Sequence, residues 1–288
     1  MEEERTIVKE FKSFFKEVKG NEGNKCHYST RLDTYGCGCS HDCKYCYAKS
    51  LLSFRGLWNA EDPSVADIKK IRNKIMKLPK GTIVRLGGMT DCFQPIEKIH
   101  RNTYKTIKLL NKYGIGYLIV TKSSMVAEEE YISIMDKNLA HIQITTTCLD
   151  DNLYKELDYE KASYPSQRIE AIKKLQDKGF DVAIRLSPLI EEYIDFDKLN
   201  SLGIKKAIVE FLRVNHWIKQ WFNIDYSKHT LKEGGYQHLP LEEKKRILDK
   251  ITIPNISVCE DVTEHYEYWK NYYNPNKEDC CNLRIKGD

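Results

Sequence analysis

The sequence predicts an α/β fold, a partial (β/α)6 TIM-type barrel with an N-terminal helix and an aromatic-rich C-terminal cap. Three observations lead there. Short apolar runs alternate with amphipathic stretches of helical period along most of the chain. Gly114, Gly116, Gly179 and Gly203 punctuate the passages from helix to strand. From about residue 214 the composition turns to Trp, Tyr, His and Asn.

In chain order, residues 5–18 place Val8, Phe11, Phe14, Phe15 and Val18 at helical spacing and predict the N-terminal helix. A strand over 27–34 runs directly into a cysteine-rich loop. Strands over 82–87, 116–121, 140–147, 180–187 and 205–212 follow, with helices over about 65–77, 97–112, 126–137, 165–177 and 195–201 in the gaps. Right-handed crossovers curl six parallel strands into part of a barrel. Chemistry in such barrels gathers at the carboxyl ends of the strands. Residues 1–213 form the barrel on this reading. Residues 214–288, with Trp217, Trp221, Tyr266, Tyr268, Trp269, Tyr272 and Tyr273, form a cap packed on it.

The 288 residues are 41% hydrophobic, enough for a substantial core, and 31% charged, as suits a soluble protein. A net charge of +4 is too weak to mark a nucleic-acid surface by itself. No run of about eighteen apolar residues predicts a membrane span, and the opening Met-Glu-Glu-Glu-Arg is no apolar signal segment. The expected location is the cytoplasm, where thiols stay reduced and clustered cysteines point to metal or catalysis.

Cys39, Cys43 and Cys46 have the spacing C-x3-C-x2-C, with Tyr45 just before the last. Three thiolates on a four-iron cubane leave one iron open, and an open metal position can bind substrate or cofactor. A zinc site is the competing reading, with Cys37 or His41 as fourth ligand. Otherwise His41 shapes the loop by hydrogen bonding and Cys37 is a small loop residue. Cys259 and the pair Cys280-Cys281 could hold an auxiliary cluster. Lacking a C-x2-C partner, they read more simply as buried structural thiols.

The strand ends carry polar residues. Arg-Leu-Gly-Gly-Met-Thr-Asp, residues 85–91, brings two glycines that let backbone approach a ligand. Asp91 can accept from a ligand ammonium or cap the next helix. Lys122 is a cation placed for a carboxylate or phosphate. Gln143, Thr145 and Thr147 make one face of a strand polar, as do Arg185 and Ser187 on the next. A buried strand seldom has a polar face, so these mean either a hydrogen-bonded network or a polar ligand, and their recurrence at the same end of several strands favours the ligand. Glu210 stands in an apolar strand. It pairs with Arg185, or it reads the adjacent N–H donors of a guanine-like ring.

Cys-Ser-His-Asp-Cys-Lys-Tyr-Cys-Tyr-Ala (39–48), Met-Thr-Asp-Cys-Phe-Gln-Pro-Ile-Glu (89–97) and Val-Thr-Lys-Ser (120–123) resemble the radical S-adenosylmethionine (SAM) superfamily, in its spore photoproduct lyase-like branch. The resemblance covers about residues 27–213. It implies that Cys39, Cys43 and Cys46 bind a [4Fe-4S] cluster whose open iron takes the amino and carboxylate groups of SAM. It implies Tyr45 and Tyr47 beside the adenine, Thr90 and Asp91 near the amino group, Lys122 on the carboxylate, and Thr147 and Ser187 near the ribose or methionine. It also implies reductive cleavage of SAM to a 5′-deoxyadenosyl radical, with electrons from a flavodoxin or ferredoxin. Met89 stands where photoproduct lyases carry a hydrogen-donating cysteine, and Cys92 lies beyond the Thr90–Asp91 pair. With the weak charge and compact tail, this directs the expectation away from nucleic acid toward a small base. Queuine lyase, a group within the same branch, breaks a C–N bond in a 7-deazaguanine base to leave its aminomethyl precursor. Glu210 and Arg185 would then bind the substrate. The alternative is a photoproduct lyase-like repair enzyme for nucleic acid.

Overall fold

The computed structural model describes residues 12, 14–158 and 161–284. Its centre is an eight-stranded sheet in which every strand lies beside its predecessor in the chain. The strands are β1 (Phe15–Glu17), β2 (Thr30–Leu32), β3 (Ile83–Leu86), β4 (Gly116–Thr121), β5 (Ala140–Thr145), β6 (Asp181–Leu189), β7 (Lys206–Phe211) and β8 (Asn255–Val258). Strand β1 pairs antiparallel with β2, and all later neighbours are parallel. Sequential parallel order is what successive right-handed crossovers produce, and it gives the predicted barrel-like α/β fold.

Helices α1 (Tyr47–Phe54), α2 (Ile68–Ile75), α3 (Asn102–Tyr113), α4 (Glu129–Ile134), α5 (Pro165–Asp177), α6 (Phe196–Ser201), α7 (Leu241–Leu248) and α8 (Thr263–Tyr272) accompany the strands. Their starts follow local chemistry. The Asp67 carboxylate caps α2 by accepting from Lys69 and Lys70 N–H, and Pro165 opens α5, where a missing N–H costs nothing. Outward faces of the strands and inward faces of the helices share one core, in which Val84, Ile119, Ile144, Ile184, Leu186 and Val209 are fully buried. Each such side chain contributes roughly 1.5–3 kcal/mol of transfer free energy.

Several expectations change in detail. Residues 15–17 of the predicted N-terminal helix are strand β1; residues 5–11 and 13 lie outside the described residues. Strand pairing prevails there because Phe15 meets Leu32 across the ladder and Glu17 accepts the hydroxyls of Ser29 and Thr30 at 3.2 and 2.5 Å. The helix over 97–112 breaks at Arg101, which is left-handed (φ 52°). The helix over 126–137 splits at Glu128, whose backbone is extended between a 3-10 turn and α4.

The tail contributes to the sheet. Asn255–Val258 adds a seventh parallel strand beside β7, from a segment too short and polar to announce itself. A hairpin of Leu231–Glu233 and Tyr236–His238 turns at Gly234 and Gly235, both at positive φ, as tight hairpins require. This hairpin reaches over the barrel mouth.

Candidate functional site

The cysteine loop follows β2, at the carboxyl end of the sheet. Its backbone is unusual, with left-handed Cys37 (φ 53°) and Asp42 (φ 38°). Gly38 is obligatory, because a Cβ there would lie 1.7 Å from the Asn59 carbonyl oxygen. Short turns follow, in which Asp42 N–H donates to the Cys39 carbonyl and Cys46 N–H to the Cys43 carbonyl. Cys46 then caps α1, its sulfur accepting from Lys49 N–H at 3.4 Å. Asp42 holds the loop from outside, accepting from Lys49 Nζ at 2.9 Å and Trp58 Nε1 at 3.1 Å.

The three thiols open into a cavity of about 420 Å3. Of the residues predicted for the site, Cys39, Cys43, Cys46, Tyr45, Tyr47, Thr90, Asp91, Lys122, Arg185, Ser187 and Glu210 all line it. Thr147 does not; it is buried two residues past the end of β5, and Thr145, the last residue of that strand, lines the cavity instead. Cys37 is also off the wall, packed against the core. Burial pushes the Cys39, Cys43 and Cys46 thiols up. Thiolates there would need a cation beside them, which a bound metal would supply. His41 in the same loop is 1% exposed, and its Nε2 has no hydrogen-bond partner among the described residues. A buried ring nitrogen left unpartnered beside three thiols leaves room for a bound group at this place.

Two carboxylates organise this end of the cavity. Asp91 accepts from Phe93 N–H at 2.8 Å, the Thr121 hydroxyl at 2.7 Å and Lys122 N–H at 2.6 Å, with His41 Nδ1 at 3.3 Å. It thus ties the cysteine loop to the ends of β3 and β4. Burial would push its carboxyl up, but His41 and these donors hold it lowered. Asp158, which nothing in the sequence singled out, accepts from the Tyr45 hydroxyl at 2.5 Å and Arg168 Nη2 at 2.8 Å. Lys122 Nζ lies 3.8 Å from Asp158 and donates to the Tyr45 oxygen at 2.6 Å and Thr147 Oγ1 at 3.4 Å. Burial again opposes the charge on Asp158, and Lys122 and Arg168 outweigh it.

The glycine pair is held by Asp33, which accepts from Gly88 and Met89 N–H at 2.8 and 3.0 Å. Gly87 sits at φ +81°, and a Cβ would lie 2.6 Å from the Val120 carbonyl oxygen. The Tyr47 hydroxyl donates to the Gly88 carbonyl at 2.9 Å, and the Arg213 guanidinium lies 4.5 Å from the Tyr47 ring centre. Thr90 donates inward to the Tyr35 carbonyl at 2.6 Å.

On the wall formed by β6 and β7, Glu210 accepts from Arg185 Nη2 at 2.6 Å, the Ser187 hydroxyl at 2.9 Å and Arg213 Nη2 at 2.9 Å. The Arg185 pairing raised from the sequence is therefore present. Burial would push Glu210 up; Arg185, Arg213 and Arg85 pull it down to about 2. The tail closes the cavity with Glu233, Gly234, Tyr236 and His238 of the hairpin and residues 259–262 after β8. Glu233, Tyr236, His238, Glu260 and Arg31 lacked any local motif; only the folded sheet brings them to one place.

A family model described as the radical SAM superfamily matches residues 34–199, more than half of the chain. An uncharacterized protein of Methanocaldococcus jannaschii is 29% identical over 183 residues, 60% of this chain and 65% of its own. The radical SAM Nalpha-GlyT isomerase of Pseudomonas phage M6 is 22% identical over 252 residues, 86% of this chain and 51% of its own. The chain thus spans less than two thirds of either relative. A point mutant of spore photoproduct lyase superposes with TM-score 0.66 at 16% identity, covering 87% of this chain and 80% of that one. The same enzyme complexed with dinucleoside spore photoproduct gives TM-score 0.60 at 16% identity, covering 88% and 79%. Among the described residues no helix is long and apolar enough to cross a membrane.

Proposed function

The chain belongs to the radical SAM superfamily, and from that premise we propose a radical lyase that cleaves a C–N bond in a small 7-deazaguanine base, converting queuine to its aminomethyl precursor. A [4Fe-4S] cluster and SAM are the cofactors of the superfamily. Cys39, Cys43 and Cys46 would hold the cluster. Tyr45, Tyr47, Thr90, Asp91, Lys122 and Ser187 would surround SAM, and a flavodoxin or ferredoxin would bring the electron. Bound there, cluster and SAM supply a carbon radical able to take hydrogen from an unactivated carbon. The chain's own work is to fix distances and keep water out. The Asp158–Arg168 pair locks Tyr45 and Lys122 in place, and the hairpin covers the mouth.

The observation that carries the substrate reading is Glu210, a charged carboxylate on the cavity wall. A carboxylate has about four acceptor positions, and three donors already occupy Glu210. Reading both N–H groups of a guanine-like edge needs two positions, so one donor must yield. Arg213 is that donor, because its Nη1 has a second carboxylate, Asp261, at 2.5 Å. Arg185 stays and keeps Glu210 ionised.

The test is anaerobic turnover with SAM, a reductant and queuine. The aminomethyl base is the expected product, and Glu210→Gln should lower kcat/KM about tenfold or more. Cleavage of SAM with queuine left intact would refute the substrate. The likeness to photoproduct lyases favours nucleic-acid repair as the second reading. Strongly salt-dependent oligonucleotide binding would support that instead.

A further inference from the structure

Four cysteines outside the first motif line the same cavity: Cys26, Cys259, Cys280 and Cys281. They come from three distant segments, and all are free thiols. The Cys280 side chain interacts directly with Cys259 and Cys281, and Cys26 feels the charge of Cys259 and Cys281. The sequence alone suggested buried structural thiols for three of them and did not connect Cys26.

The site is built rather than incidental. Asp279, 2% exposed, accepts Cys281 N–H at 2.8 Å, Leu283 N–H at 3.0 Å and the Tyr28 hydroxyl at 2.6 Å. Tyr28 is two residues from Cys26, so this one carboxylate ties the first cysteine to the last pair. Asn282 is left-handed (φ 47°), and its carbonyl accepts Lys206 Nζ at 2.8 Å. Cys259 N–H donates to the Val209 carbonyl at 2.8 Å, which fixes it against β7.

Two arginines and the Asp279 carboxylate face the site. Arg185 acts on Cys259 and Cys281, and Arg85 acts on Cys26 and Cys281. The Nε of Arg85 is buried without a hydrogen-bond partner among the described residues. Structural thiols need no such charges, whereas a four-thiolate iron–sulfur centre carries about two net negative charges. Among the described residues no group of three or more His, Cys, Asp or Glu side chains is arranged to hold a single metal ion. Four thiols are a donor set common to iron–sulfur centres and to zinc, and metal analysis separates the two.

We propose that Cys26, Cys259, Cys280 and Cys281 hold a second iron–sulfur cluster, set in the wall of the substrate cavity. The proposal does not depend on which base the enzyme cleaves. The full chain is reconstituted anaerobically with iron and sulfide and analysed for metal content and by Mössbauer spectroscopy. Wild-type protein should hold about eight irons. The C39A/C43A/C46A variant should keep about four and retain a cluster spectrum, and C26S/C259S should lose the complementary half. About four irons in wild-type protein would overturn the proposal, even if a variant failed to fold. So would zinc in place of iron, a Cys259–Cys280 disulfide in protein purified without oxygen, or a folded C39A/C43A/C46A variant without iron.

Discussion

Replacing Asp158 with Asn tests the network that holds Tyr45 of the cysteine loop. Asp158 and Arg168 are 2% and 1% exposed, and their atoms are 2.8 Å apart. Asparagine keeps the shape and removes the charge, which leaves the guanidinium buried without a counter-charge. Breaking such a pair costs about 3–5 kcal/mol. Arg168 keeps the carbonyls of Ser163 and Thr145 at 2.7 and 3.1 Å, so the lower end, about 3 kcal/mol, applies. With a urea slope of about 3 kcal/mol/M, the midpoint of the apoprotein should fall by about 1 M. Combining D158N with R168M should show a coupling of about 2 kcal/mol or more, because the second change removes the charge the first one stranded. Tyr45 and Lys122 lose a partner at the same time, so iron retention should fall too. The pH dependence has a definite sign. The folded carboxyl lies below its unfolded value of about 3.9, so its stabilisation is present above that pH and lost as pH falls below it. D158N should therefore show a flatter acid limb. A midpoint within about 0.3 M of wild type, together with additive single changes, would refute the reasoning.

Three further outcomes follow from the same geometry. Alanine at Cys39, Cys43 or Cys46 should abolish deoxyadenosine formation, read by chromatography of the reaction mixture. Gly87→Ala should cost about 2 kcal/mol or more, because a left-handed position meets backbone. Gly88→Ala should cost less in thermal melting, since its nearest contact, Arg31 Cδ at 2.8 Å, belongs to a flexible side chain. His229 is pushed down to about 4, first by burial and then by His238, Lys219 and Lys244. The unfolded chain binds that proton near pH 6.5, so stability should decline as pH falls from about 6.5 toward 4. H229Q should weaken that decline in urea midpoints taken at pH 7 and pH 5.

Much of the site was legible locally. Cys39, Cys43 and Cys46, marked by their spacing, and the strand-end residues Asp91, Lys122, Arg185, Ser187 and Glu210 all line the cavity. Strand β4 and helix α5 fall where periodicity and their flanking Gly and Pro residues put them. Local pattern misplaced what pairing decides. Residues 15–17 became a strand because β2 offered an edge, and residues 255–258 joined the sheet because β7 did. Thr147 lies past the end of β5, where strand alternation no longer sets its direction, and it engages Tyr45 and Lys122.

The sequence by itself determined the barrel's repeating units and the three-thiol motif, since both are set by spacings within about ten residues, the reach of backbone periodicity and turn chemistry. Only the tertiary structure decided which charges balance and which cysteines meet. Tyr45 and Asp158 are 113 residues apart, and Tyr28 and Asp279 are 251 apart. Contacts of that range leave no local signature, because they arise only when sheet closure brings the first strands and the last turn to one cavity.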